Sequence, residues 1–179
     1  RPLETGDLFS YEIEVVDDGS TDDTPIAIQE ARRRSPTPIQ SVRESGHGVA
    51  AARNAGIEAA RGEWIAFFDD DQLADRLWLL ELWSAHTATG ARCVGGSRLL
   101  ELPPDELEAL SPIIRRILGE IPVEQSVRRC RRHDSLCTGN ALVHRSVFEC
   151  VGGFDAGLTQ GGEDTEFFLR VHKAGIECW

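Results

Sequence analysis

The sequence predicts an α/β fold, a mostly parallel sheet flanked by helices. Three observations predict it. Between residues 12 and 98, short runs rich in β-branched residues alternate with longer segments of helical composition. One of those runs, Trp64-Ile65-Ala66-Phe67-Phe68, is apolar throughout, as a strand covered on both faces should be. Finally, acidic clusters fall where strands end rather than along solvated faces, and open α/β sheets bind ligands beyond those strand ends.

Taken in order, the first strand spans 12–16 and stops at the polar turn Asp17-Asp18-Gly19-Ser20. Ser20 or Thr21 caps a helix with Pro25 in its first turn, which runs to about Arg34 and ends before Pro36. A short strand over 39–42 follows. Gly46 and Gly48 open an alanine-rich helix over 49–61, with Gly62 as its C-cap. The strand at 64–68 comes next, then a helix over 76–89 ending at Gly90, then a strand over 93–97. Residues 99–137 break the alternation with Pro103-Pro104, an amphipathic stretch over 105–118 and a basic run from Arg128 to His133. They read as an excursion from the sheet. A strand at 141–144, a short helix to Val151 and a last helix from about Glu163 to Gly175 complete a single domain over 1–179.

The net charge of −11 argues against a nucleic-acid partner, whose phosphates are bound largely through Lys and Arg. An acidic protein that binds an anionic ligand needs a counter-ion, and a divalent metal held by carboxylates is a natural one. No stretch approaches the roughly 20 apolar residues that span a bilayer. Five cysteines, with no Cys-x-x-Cys spacing, read as scattered reduced thiols in a reducing, cytoplasmic setting.

Three acidic clusters carry the chemistry: Asp17-Asp18, Asp69-Asp70-Asp71 and Glu163-Asp164. Acidic residues at turns and helix starts often serve only as caps and dipole partners. Three consecutive carboxylates after five apolar residues are harder to explain that way, because like charges so close repel unless a cation sits between them.

The residues resemble a known family. The matching stretches are Val15 to Thr24, Gly48 to Gly56, Gly62 to Asp71, Thr138-Gly139-Asn140-Ala141, Val151 to Asp155, and Gly162 to Phe167. In this order and spacing the chain is similar to family 2 glycosyltransferases of the GT-A fold, a Rossmann-like nucleotide-binding α/β domain. The resemblance implies that Asp18, together with Asp17, accepts a hydrogen bond from a nucleotide base. It implies an Asp-x-Asp pair in which Asp69 lies near the ribose and at the metal, and Asp71 holds the metal on the diphosphate. Asp164 matches the catalytic base, and Arg53 and Asn54 lie beside the donor, where packing onto the sheet would equally explain them. The implied cofactor is manganese or magnesium. The implied partners are a UDP- or GDP-type nucleotide sugar and a glycan or lipid-linked acceptor, with membrane contact at the inner face through parts outside the sequence.

Two departures qualify the match. Members usually begin with an apolar strand ending in a Pro-Thr-Tyr-Asn-like turn, whereas residues 1–11 read as the connection that follows it, so the fold is expected to be truncated at both ends. Many members also carry Asp where Gln72 stands, which leaves the Asp-x-Asp pair intact. The implied reaction is transfer of a sugar from a nucleotide diphosphate to an acceptor hydroxyl with inversion; residues 99–137, to which the family pattern gives no guide, are expected to be an acceptor-side or flexible excursion. Two alternatives stay open: a transferase-like domain that binds nucleotide or glycan without turnover, and a haloacid-dehalogenase-like phosphatase, against which Leu73 stands where Thr or Val is usual.

Overall fold

The computed structural model describes residues 3–123, 126–131 and 136–179. Arg132 and His133, the end of the basic run, lie outside the described residues. Among the described residues, five strands and seven helices follow one another as β1 Ile13–Asp17, α1 Thr24–Arg34, β2 Ile39–Arg43, α2 Val49–Ala59, β3 Trp64–Phe68, α3 Trp78–Thr89, β4 Cys93–Gly95, α4 Pro104–Ala109, α5 Pro112–Ile117, β5 Asn140–His144, α6 Arg145–Val151 and α7 Glu163–Lys173.

The α/β class holds, and the pairing is mixed. β1 and β2 form a parallel pair, while β5 lies antiparallel between β3 and β4, which therefore run parallel to each other. The reason is the excursion. Leaving β4 at its carboxyl end and returning at the same end, the chain enters β5 in the reverse direction, with Asn140 opposite Phe68 and Ala141 opposite Gly95.

Helices cover both faces of the three-stranded sheet, and the strands alternate accordingly. Ile65, Phe67, Cys93, Ala141 and Val143 join one core cluster with Ala50 and Ile57 of α2 and with Val147, Phe148, Phe167, Phe168 and Val171 of α6 and α7. Trp64, Ala66, Val94 and Leu142 point the other way, against Trp78, Leu82 and Trp83 of α3 and against Trp179. This is why Trp64–Phe68 is apolar at every position. The residues before β1 line α3: Glu4 donates its N–H to the Arg76 carbonyl at 2.8 Å, and Phe9 meets Trp83 with ring centroids 5.2 Å apart.

Several boundaries move for local reasons. The helix expected over 49–61 stops at Ala59, where the Arg145 guanidinium takes the Ile57 carbonyl at 3.1 Å together with those just past the helix end, Ala60 and, at 3.1 Å, Gly62. α1 starts after Asp23 rather than at a Ser20 or Thr21 cap, because Ser20 is already tied to β1. Pro112 splits the amphipathic stretch into α4 and α5. Cys93 and Cys178 form an isolated parallel bridge and are both buried; their shared hydrogen bond and then burial push the Cys93 thiol up, which keeps it protonated. No disulfide joins any of the five cysteines. No helix among the described residues is long and apolar enough to cross a membrane.

Candidate functional site

The carboxyl end of β1 is a tightly tied turn. Asp17 is buried, and its carboxylate accepts from the Ser20 N–H at 2.8 Å and from Arg43 at 2.7 Å. The Ser20 hydrogen bonds and then the Arg43 charge hold the Asp17 carboxyl below the ordinary carboxylate range. Asp18 is half-buried, and its two oxygens accept from the His47 and Gly48 N–H groups at 3.0 and 2.9 Å. It thereby ties β1 to the start of α2.

One turn further along α2, Arg53 reaches the other two acidic clusters. Its guanidinium donates to Asp69 Oδ1 at 3.2 Å and to Glu163 Oε1, and lies 5.8 Å above the Phe154 ring. Side-chain exposures of 14% for Arg53 and 7% for Glu163 mark the second contact as a buried ion pair. A single cation thus fastens the end of β3 to the start of α7. Asn54, beside it, has its amide committed to a backbone: it donates to the Phe154 carbonyl and accepts from the Phe154 N–H, both at 2.8 Å. That arrangement braces the Gly153-Phe154 turn.

The turn into α7 is built by Gly161 and Gly162, whose φ angles of 90° and 89° are costly for residues with a Cβ. Asp164, half-buried in the first turn, accepts from the Thr165 N–H at 2.6 Å. Its charge reaches the neighbouring Cys137 thiol. Burial pushes the Cys137 thiol up; the Gly139 N–H and the Arg98 charge oppose this, and the Asp164 carboxylate adds to it.

Arg98 approaches Asp69 from the far side of Arg53, with Nη1 3.9 Å from Oδ2. Gly139 makes that approach possible: a Cβ there would lie 2.5 Å from Arg98 Nη1, 2.6 Å from Asp69 Oδ2 and 2.8 Å from Gln72 Nε2. Asp71, two residues on, is exposed and forms no ion pair with any described residue.

The structure thus joins Asp69 and Glu163 through Arg53, with Asp164 next to Glu163, Asp18 tied to the start of the same α2, Asp17 holding the turn beside it and Asp71 in the Asp69 loop. Sequence reasoning missed Arg98, Cys137 and the pairing of Glu163 with Arg53. A signal for Arg98 existed in the Gly95-Gly96-Ser97 run at the end of β4, since small residues after a strand permit close approach. Among the described residues, no group of three or more His, Cys, Asp or Glu side chains is gathered as a metal cage. The donor set still suits a hard cation carried by a diphosphate, which takes one or two carboxylates and completes its shell with phosphate oxygens and water. A separate hollow lined by Thr89, Gly90, Arg92, Gly175, Ile176 and Glu177 lies at the amino end of β4, away from these carboxylates.

Comparison with known proteins identifies the family and the fold. The model of "Glycosyl transferase family 2" matches residues 5–152. Validoxylamine A glucosyltransferase of Streptomyces hygroscopicus subsp. jinggangensis is 30% identical over 97% of the chain and 46% of the relative. Glycosyltransferase AglE of Haloferax volcanii is 30% identical over 92% of the chain and 52% of the relative. The chain spans about half the length of these relatives. Among solved structures, S. aureus TarS residues 1–349 in complex with UDP superposes with a TM-score of 0.66 at 16% identity, over 95% of this chain and 48% of that one. The mannosyltransferase PcManGT from Pyrobaculum calidifontis, in complex with GDP-Man and Mn2+, gives 0.67 at 22% identity, over 93% and 44%. At these identities the superpositions establish the fold as that of the glycosyltransferases. With the family model matching most of its length, the chain belongs to glycosyl transferase family 2.

Proposed function

We propose that the chain forms the donor-binding and catalytic core of an inverting glycosyltransferase that moves a sugar from a UDP- or GDP-type nucleotide sugar to an acceptor hydroxyl. The observation that carries this reading is Arg53, which joins Asp69 to Glu163 and so sets the start of α7 beside the end of β3. The first turn of α7 then offers Asp164, half-buried and next to Glu163 in the chain.

In this reading Asp18 accepts from the nucleotide base while Asp17 holds the turn that presents it. Asp69, held by Arg53, faces the ribose. Asp71, exposed and without an ion pair among the described residues, would hold manganese or magnesium against the donor diphosphate, with Asp69 adjacent. A bound divalent cation supplies Lewis-acid stabilisation of the negative charge on the leaving diphosphate. Asp164 takes the acceptor proton as the acceptor oxygen attacks the anomeric carbon. One base and one displacement give inversion. UDP in TarS and GDP-Man with Mn2+ in PcManGT support the donor class and the metal.

Thermal unfolding with UDP- and GDP-sugars, each with manganese, magnesium or chelator, tests the reading. A productive donor at a hundred times its Kd stabilises the fold by about 2.7 kcal/mol. Calorimetry on Asp71→Ala should show nucleotide affinity that no longer responds to manganese. A panel in which no nucleotide sugar moves the melting temperature overturns the proposal. Binding without sugar transfer or donor hydrolysis favours a non-catalytic nucleotide-binding domain.

A further inference from the structure

Arg98 falls between the motif stretches Gly62 to Asp71 and Thr138 to Ala141, yet its side chain reaches Asp69. Its backbone is fixed by reciprocal hydrogen bonds with Ile121, both at 2.8 Å, forming an isolated antiparallel bridge across the excursion. Its side chain passes between Gly119 and Gly139, where a Cβ would stand 3.4 Å from Nη2 and 2.5 Å from Nη1 respectively. The guanidinium ends beside Asp69, but at 3.9 Å, while Arg53 holds the same carboxylate at 3.2 Å. Asp69 is thus already secured without it.

The donors of Arg98 are also underused. An arginine carries five N–H groups in a fixed fork. Here Nε is buried without a hydrogen-bond partner among the described residues, as are Thr138 Oγ1 and Glu163 Oε2 in the adjoining segments. A buried donor without a partner is costly unless a ligand or water fills it. A planar cation held rigidly at its root, with open donors at a nucleotide site, fits phosphate oxygens, which it binds in bidentate fashion.

We propose that Arg98 is a diphosphate-binding residue. When the donor enters, the Arg98 guanidinium turns from Asp69 to the phosphate oxygens and carries part of their charge, while Arg53 keeps Asp69 in place. The inference rests on the nucleotide-sugar reading of the site and adds to it a second positive partner for the leaving group, contributed by the protein itself.

Calorimetric titration of wild type, Arg98→Ala and Arg98→Lys with UDP, uridine, GDP and guanosine, in chelator and in manganese, tests it. If Arg98 binds the diphosphate, Arg98→Ala loses about ten- to a hundredfold in affinity for the nucleotide that wild type prefers, in chelator as well as in manganese. Affinity for the matching nucleoside stays within twofold, and Arg98→Lys, which keeps the charge but not the fork, recovers part of the loss. Equal losses for nucleoside and diphosphate would mean that Arg98 only shapes the pocket, and would overturn the proposal, as would an Arg98→Ala protein that binds the diphosphate like wild type. Should Arg98→Ala fail to fold, Arg98→Lys and Arg98→Gln carry the same comparison. A wild type that binds neither UDP nor GDP defeats the nucleotide reading itself, and this proposal with it.

Discussion

Arg53 and Glu163 are 110 positions apart, and their side chains form a buried ion pair that joins α2 to α7. Removing one partner of such a pair leaves the other charge stranded in a low-dielectric setting and typically costs about 3–5 kcal/mol. Arg53→Ala should therefore lower stability to urea by about 3 kcal/mol or more, since Asp69 loses the same partner. The double variant Arg53→Met with Glu163→Met should be less destabilised than Arg53→Ala. An Arg53→Ala protein within 0.5 kcal/mol of wild type, the range of about ±0.5 kcal/mol ordinary for surface substitutions, would contradict the geometry.

Asn54 supplies both hydrogen bonds of the Phe154 backbone that reach α2. Asn54→Leu leaves a donor and an acceptor unsatisfied, each costing roughly 1–3 kcal/mol when buried. Melting should fall, and proteolysis should become faster around residues 152–155. If the variant instead lost nucleotide affinity with unchanged stability, Asn54 would belong to the donor site and not to the brace.

Asp164→Asn should cut sugar transfer by 10²–10⁴-fold, the usual worth of a positioned general base. Nucleotide affinity should change less than twofold, because the amide keeps the helix start and removes only basicity. Near-normal turnover in this variant would take Asp164 out of the reaction.

Asp17 gives a pH signature. Its carboxyl is held below the ordinary range of roughly 4 by the Ser20 hydrogen bonds and the Arg43 charge. A group whose folded value is depressed stabilises the fold above its unfolded value, and that contribution fades as pH falls through the folded value. The melting gap between wild type and Asp17→Asn should accordingly be widest near neutral pH and close in acid. A gap that is constant with pH would mean that the lost hydrogen-bond geometry, not the charge, accounts for it.

Much of the fold was legible because it is written locally. Trp64–Phe68 occupies the expected positions, Gly90 ends α3, and α7 begins at Glu163. The acidic clusters were found because charge after an apolar run is conspicuous in one dimension. What escaped depends on distant partners. The antiparallel course of β5 follows from where the excursion returns, which no local pattern encodes. α2 ends early where Arg145, far along the chain, takes the Ile57 carbonyl. The resemblance set Asn54 beside the donor with a packing role as an equal alternative, and neither pointed to the turn 100 residues later that its amide bonds. Arg98 was invisible because one arginine after a strand is unremarkable until Gly139 and Asp69 are seen to receive it.

The position of β5 in the three-stranded sheet has a consequence for how the protein comes into being. The middle strand is the last of the three to emerge during synthesis, so β3 and β4 wait with bare edges while the intervening forty-odd residues are made, and non-local pairings of this kind close slowly. Gly139, the wall behind Asp69, arrives with that same late strand. A ribosome stalled before Asn140 would hold a nascent chain with sticky strand edges and no pocket, a natural client for chaperones.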